Sequence, residues 1–231
     1  MKYLIANWKS NKNLDQALKW IREYSLDMMI CDELKSRTVH NKLLTIVICP
    51  PAIFISGSKP ILGKLAKIGI QNVSSKDEGS FTGELNAKSL SGLIDYAIIG
   101  HSERRSFFSE TEKEIEDKIK LLKENNIKII LCIRNDKDII YEGVDIVAYE
   151  PVEAIGTGKS MSLDDIIKEK NKLKIPKDIA FVYGGSVNLA NCEEYIKSDE
   201  IDGLLVGSAS LDERGFFQIT KNVANTIKIQ F

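Results

Sequence analysis

The sequence predicts an α/β protein, a (β/α)8 barrel of eight parallel strands closed on themselves, with a shortened fifth helix. Three observations predict it. Eight short apolar runs recur from one end to the other, each followed by a segment of helical period. The runs are apolar throughout rather than alternating, as strands covered on both faces are. Eight such units within 231 residues fit one closed barrel better than an open doubly wound sheet, so residues 1–231 are expected to form a single domain.

The strand candidates are Tyr3 to Ala6, Thr45 to Cys49, Ile68 to Gln71, Tyr96 to Ile99, Ile127 to Cys132, Ile146 to Tyr149, Ile179 to Tyr183 and Gly203 to Val206. Leu14, Leu18 and Ile21 mark a helix after the first. The clearest helix runs from Glu110 to Asn125, with Ser109 and Glu112 as its capping box and Ile115, Ile119 and Leu122 on one face. Ser162 is an N-cap candidate for a helix reaching about Leu173. The fifth unit is anomalous: between Cys132 and Glu150 the chain must fit a loop, a helix and a strand, so Asp136 to Tyr141 supplies one or two helical turns at most.

Composition excludes several function classes. Lysine and arginine number 32 against 33 aspartates and glutamates, and a net charge of −1 offers no broad basic field for nucleic acid or anionic membrane. Cys31, Cys49, Cys132 and Cys192 form no C-x-x-C pair, and His40 and His101 are the sole histidines, so neither a zinc site nor a redox motif is expected. No metal and no cofactor is anticipated. The longest apolar run, Leu43 to Ile55, is broken by Pro50 and Pro51 and falls short of the ~20 residues of a membrane helix. The start, Met1 to Ala6 before Asn7, is too short for the apolar segment of a signal peptide. A cytosolic location is expected.

In barrels the reacting groups sit just past the C-terminal ends of strands. The first strand ends in Asn7-Trp8-Lys9, an amide and an ammonium at the mouth. The fourth ends in Gly100-His101-Ser102-Glu103-Arg104-Arg105, a dense ionisable cluster directly after an apolar run. The sixth ends in Tyr149-Glu150-Pro151, where a carboxylate follows Ile146-Val147-Ala148 and is partly desolvated. Ala154-Ile155-Gly156-Thr157-Gly158-Lys159-Ser160 brings backbone N–H groups toward an anion; a nucleotide P-loop is rejected because Glu153 stands where its first glycine is needed. The seventh and eighth strands end in Gly184-Gly185-Ser186 and Gly207-Ser208, together the phosphate site expected at that end of a barrel.

As a set these segments, with Tyr183-Gly184-Gly185-Ser186-Val187 and Asp202-Gly203-Leu204-Leu205-Val206-Gly207, resemble triosephosphate isomerase in order and spacing across all eight units, the TIM barrel for which the fold is named. Gln71-Asn72 and Gly79-Ser80-Phe81-Thr82-Gly83-Glu84 are similar to that family's third loop, which inserts into a partner subunit. The resemblance implies a glycolytic and gluconeogenic isomerase of the two triose phosphates. It assigns Glu150 as the base, His101 as the group polarising the carbonyl, Lys9 and Asn7 as stabilisers of the enediolate, and Glu103 as the group orienting Lys9. Gly156, Ser186, Gly207 and Ser208 would hold the phosphate, and a loop from Pro151 to Lys159 would close over it. It also implies a homodimer through residues 79–84, with Glu84 of one chain facing Arg104 of the other.

Three positions depart from the family pattern. Glu153 stands where the family has tryptophan, Arg134-Asn135 where it has glycine and glutamate, and Ser208 where glycine is common. The expectations are an altered lid hinge, a fifth unit that is locally weak without affecting the site, and a tolerated serine. Two other functions fit a phosphate-binding barrel: a Schiff-base aldolase using Lys9, and a non-catalytic phosphometabolite-binding barrel.

Overall fold

The computed structural model describes residues 1–40, 43–151 and 160–227 and, of residues 39 and 40, the backbone alone. Eight strands, β1 (Lys2–Asn7), β2 (Leu44–Cys49), β3 (Lys67–Ile70), β4 (Tyr96–Ile99), β5 (Lys128–Ile133), β6 (Ile146–Tyr149), β7 (Ala180–Tyr183) and β8 (Gly203–Val206), pair in parallel in chain order. β8 pairs back onto β1 and closes the barrel. Every expected run is a strand, with ends moved by a residue or so. β5, for example, starts and ends one residue later than its hydrophobicity suggests, because the end is set by pairing: Ile133 lies opposite Tyr149.

Side-chain alternation divides the apolar residues between two cores. Ile5, Val47, Cys49, Ile98, Ile130, Cys132, Ala148, Val182 and Leu205 point into the barrel. Their neighbours Leu4, Ala6, Leu131, Ile133, Val147, Phe181 and Tyr183 face the helices. Because successive side chains alternate, the same parity places Asn7, the last residue of β1, and Glu150, Gly184 and Gly207, one step past β6, β7 and β8, at the inner rim of the mouth.

The opposite end is tied by a repeated device. Asp95, Asp145 and Asp202 precede β4, β6 and β8. Their carboxylates accept the backbone N–H groups of Ile68 (3.0 Å), Ile129 (2.8 Å) and Phe181 (2.8 Å) on the preceding strands. Their backbone carbonyls accept from Lys128 (3.0 Å), Ala180 (3.1 Å) and Tyr3 (2.8 Å) on the following strands. Each aspartate therefore bridges two neighbours and satisfies strand-entry donors that would otherwise be buried unpaired.

The surrounding helices are α1 (Leu14–Ile30), α2 (Asp32–Lys35), α3 (Ile55–Leu62), α4 (Ala87–Leu90), α5 (Ser102–Phe107), α6 (Glu112–Glu124), α7 (Leu163–Leu173), α8 (Cys192–Ile196) and α9 (Glu213–Thr226). In α1 the inward face is Ala17, Trp20, Ile21, Tyr24 and Met28, whereas Leu14 is exposed. The aromatic pair sets this rotation: Trp20 stacks on Tyr24 at 4.8 Å, and both pack against Phe216 of α9. Ser162 caps α7 as expected, accepting from the Asp165 N–H.

Two expectations are corrected. The capping box of α6 is formed by Thr111 and Glu114, not Ser109 and Glu112; Ser109 takes φ 53°, in the left-handed region, and Glu112 serves Arg105. The fifth unit has no helix at all, since Asp136 and Lys137 form only a turn. Its polar groups are satisfied locally instead. Arg134 donates from its backbone N–H (2.7 Å), Nε (2.9 Å) and Nη2 (2.6 Å) to the Asp138 carboxylate.

Candidate active site

Asn7 ends β1 and is buried. The next residue, Trp8, is fully buried edge-on to Trp20, with centroids 4.8 Å apart. This anchor fixes the chain where Lys9 takes φ 51°, a left-handed value uncommon for a residue with a side chain. Asn7 Oδ1 accepts the Lys9 N–H at 3.1 Å, and Gln71 Nε2 donates to the carbonyls of Lys9 (3.0 Å) and Cys49 (2.9 Å). Lys9 Nζ reaches Glu103 Oε1 at 2.5 Å. Both side chains are partly exposed, so the pair orients the ammonium more than it stabilises the fold.

His101 caps α5, its Nδ1 accepting the Glu103 N–H at 3.2 Å. That bond leaves the ring proton of the neutral imidazole on Nε2, which lies 3.2 Å from Glu150 Oε2. Glu150, at the end of β6, is 2% exposed, and its N–H donates to the Ile133 carbonyl at 2.9 Å. Neither Nε2 nor Oε2 makes an aligned hydrogen bond among the described residues, so the two face each other with bonding capacity to spare.

Burial alone would push the Glu150 carboxyl up. The His101 ring, and Lys9 beyond it, outweigh burial and hold it below the usual carboxylate range. Burial likewise lowers the His101 imidazole, and the Glu150 carboxylate overcomes this and raises it. The two groups titrate as a pair, with the carboxylate ionised and ready to accept a proton. Cys132, beside Glu150 on the barrel interior, has its thiol pushed well up by burial and stays neutral.

The glycines opposite make room. A Cβ on Gly184 would stand 2.7 Å from Glu150 Cγ. Ser186 takes φ 54°, and the side-chain amides of Asn188 and Asn191 each donate to its carbonyl at 3.2 Å, fixing the peptide plane. Gly207 leads into a single 3-10 turn, Ser208–Ser210. Ser208 has no positive φ, so serine is tolerated there as expected. A Cβ on Gly207 would lie 3.9 Å from Lys9 Cε, which brings this turn and the ammonium together. Gly156 and Glu153, and all of residues 152–159, lie outside the described residues.

An open cleft of about 340 Å³ joins Asn7, Lys9, Gln71, His101, Glu103 and Arg104 to Glu84 and Phe108. The 79–84 loop is closed at its base by the Ser74 N–H donating to the Leu85 carbonyl at 2.9 Å, and Gly79 and Gly83 take φ 156° and 90°. Within one chain the partner of Arg104 is Glu110, at 3.1 Å, rather than Glu84.

Sequence reasoning missed three supporting side chains. Gln71 read as the end of the third strand and the start of the third loop, with no role at the site. Lys118 drew no attention in the sequence but is buried, paired with Glu110 and donating to Asn72 Oδ1 at 2.8 Å; its signal was a lysine three residues after Ile115, inside the apolar stripe of α6. Arg105 read as one of a charge cluster, yet its side chain is 4% exposed.

A closed barrel whose C-terminal mouth brings a buried carboxylate, an imidazole and an ammonium together defines an enzyme of the proton-transfer class. The chain matches the family described as triosephosphate isomerase over residues 2–144 and 141–223. The two stretches meet in the fifth unit, where the helix is missing. It is 37% identical to triosephosphate isomerase of Alkaliphilus metalliredigens (strain QYMF), covering 94% of this chain and 97% of that protein. It is 34% identical to those of Mesomycoplasma hyopneumoniae (strain 7448), over 96% and 99%, and Aquifex aeolicus (strain VF5), over 94% and 97%. The chain belongs to the triosephosphate isomerase family.

Proposed function

We propose that this chain interconverts dihydroxyacetone phosphate and D-glyceraldehyde 3-phosphate by moving one proton between adjacent carbons through an enediolate. The observation that carries the reading is the buried Glu150 carboxylate facing His101 Nε2 at 3.2 Å, with Lys9 held at the same mouth by Glu103. Glu150 removes a proton from the carbon beside the carbonyl while His101 donates from Nε2 to the carbonyl oxygen. Negative charge builds on the two oxygens, and the Lys9 ammonium and Asn7 amide stabilise it more than they stabilise the substrate. The protonated Glu150 returns its proton to the neighbouring carbon while His101 Nε2 takes a proton back from the other oxygen, which becomes the new carbonyl, so both groups are restored and the cycle needs no dissociable cofactor.

Backbone N–H groups of Gly156, Ser186, Gly207 and Ser208 hold the phosphate, and closure of the 151–159 loop excludes water. The Schiff-base reading is disfavoured because Lys9 is engaged as a cation by Glu103. Residues 1–231 act as one barrel domain. A second copy of the chain docks through the 79–84 loop, supported by the exposed Leu85 and Phe108, which line the cleft, and by the exposed Phe81 and Phe107. The protein works in the cytosol; no described helix is long and apolar enough to cross a membrane.

The test is turnover of glyceraldehyde 3-phosphate by the parent and by Glu150→Gln, in which loss of the base lowers kcat roughly 10²–10⁴-fold. A parent that binds triose phosphate without turning it over would instead be a non-catalytic phosphometabolite-binding barrel. Sedimentation at micromolar concentration giving only 25.9 kDa material would refute the dimer.

A further inference from the structure

We infer that the helix-less fifth unit positions His101, through a strut that runs from Tyr141 to Glu112 to Arg105 to the carbonyl of Gly100. The kinetic part of this inference rests on the isomerase reading; the geometric part stands alone.

The strut starts at the turn before His101. Gly100 takes φ 67°, and the space its missing Cβ leaves is bounded by Arg105 Nη2 at 3.1 Å, Leu131 Cδ1 at 3.2 Å and the Cys132 carbonyl at 3.3 Å. Arg105 Nε donates to the Gly100 carbonyl at 2.8 Å. The guanidinium therefore sets the peptide directly preceding the imidazole. His101 in turn has its ring fixed by the Glu103 N–H, so a tilt of the Gly100 peptide moves the ring relative to Glu150.

A buried guanidinium stays in place only if counter-charges hold it. Arg105 Nη1 pairs with Glu112 Oε1, and Asp138 contributes a second nearby charge from the fifth unit. Glu112 is the first residue of α6, and its side chain is 42% exposed. Left to itself it would sample other rotamers. The Tyr141 hydroxyl prevents this by donating to Glu112 Oε2 at 2.7 Å, with the Glu112 carbonyl also in reach at 3.1 Å. Tyr141 and Asp138 thus occupy the place where the barrel lacks a helix, Tyr141 bonded to Glu112 and Asp138 bonded to Arg134 with its charge near Arg105. The expectation that this unit leaves the site unaffected is replaced by the opposite one.

Tyr141 and Arg105 are positioning residues, and the test must separate position from stability. Tyr141→Phe removes one hydroxyl and keeps a ring that packs against the core. The chain has two histidines, so ¹⁵N spectra of its imidazoles carry two rings, and His101→Gln assigns them. Tyr141→Phe should shift the His101 Nδ1 and Nε2 signals and lower kcat about 3- to 10-fold with KM within twofold. Arg105→Lys should lower kcat further, and adding Tyr141→Phe to it should cost nothing more, because one path carries both effects. Unmoved imidazole signals with kcat within error would overturn the inference, whatever happens to Tm. Multiplicative losses in the double variant would overturn the path. If the parent does not turn over triose phosphate, the isomerase reading fails, and the imidazole signals alone decide the strut.

Discussion

Gly184→Ala tests the placement of Glu150, the proposed base, more directly than removing it. The backbone there is not in the left-handed region, so alanine meets no conformational penalty, and its effect is steric. The added Cβ would lie 2.7 Å from Glu150 Cγ, 3.4 Å from Cδ and 3.3 Å from Oε1, while carbon contacts settle at roughly 3.5–4.0 Å. The Glu150 side chain must therefore retreat by about 1 Å, and a displacement of that size at a reacting group costs roughly 10²-fold in rate. Stability should change much less: overpacking costs about 1–3 kcal/mol, and replacing glycine returns about 0.4–1 kcal/mol through the unfolded chain. Steady-state kinetics in both directions with a thermal melt reads both quantities. A kcat within about threefold of the parent, with Tm unchanged, would refute the reasoning, since Glu150 would then work from a place that Gly184 does not border.

Three further outcomes follow from named contacts, and a fourth from the sequence alone. In His101→Gln the largest of the influences that hold the Glu150 carboxyl down is gone and burial pushes it up, so the acid limb of kcat moves to higher pH; a limb that stays or falls contradicts the pairing. Glu213 on α9 is buried near Asp27, Glu23 and Asp212, and its carboxyl is pushed up to about 7 by burial and by those charges. The folded state therefore binds a proton that the unfolded state releases above 4.5, so this residue's contribution to stability is intact below that pH and is lost as pH rises to 7 and beyond. Tm of the parent should drop relative to Glu213→Gln between pH 5 and 8, and parallel melting profiles would rule this out. Asp202→Ala leaves the Phe181 N–H without its acceptor and should cost about 1–3 kcal/mol with KM unchanged, as judged by denaturant melts. Glu153→Trp should change kcat or KM by altering the loop hinge; kinetics indistinguishable from the parent would sink that proposal.

How far the sequence could be read depended on the kind of interaction involved. Apolar runs such as Ile127 to Cys132 reveal strands because burial on both faces is a property of the run itself. The capping box of α6 shows the limit. Ser109-x-x-Glu112 and Thr111-x-x-Glu114 both satisfy the local rule, and the choice falls to Thr111 because Glu112 is held by Arg105 and Tyr141, residues far from any capping window. Lys118 and Arg105 were unreadable as buried charges for the same reason: what permits their burial is a partner on another element.

By itself the sequence determined the eight βα units, their order, and the residue types at the strand ends that carry acid–base chemistry, since these rest on local periodicity and on motifs of neighbouring residues. Only the tertiary structure decided that the inward parity of β6 and the cap of α5 bring Glu150 to 3.2 Å from His101, that Gly184 makes room for that carboxylate, and that the fifth unit gives up its helix and braces the histidine loop instead. Distances between residues on different strands depend on register and closure, and these are properties of the whole barrel rather than of any segment of the chain.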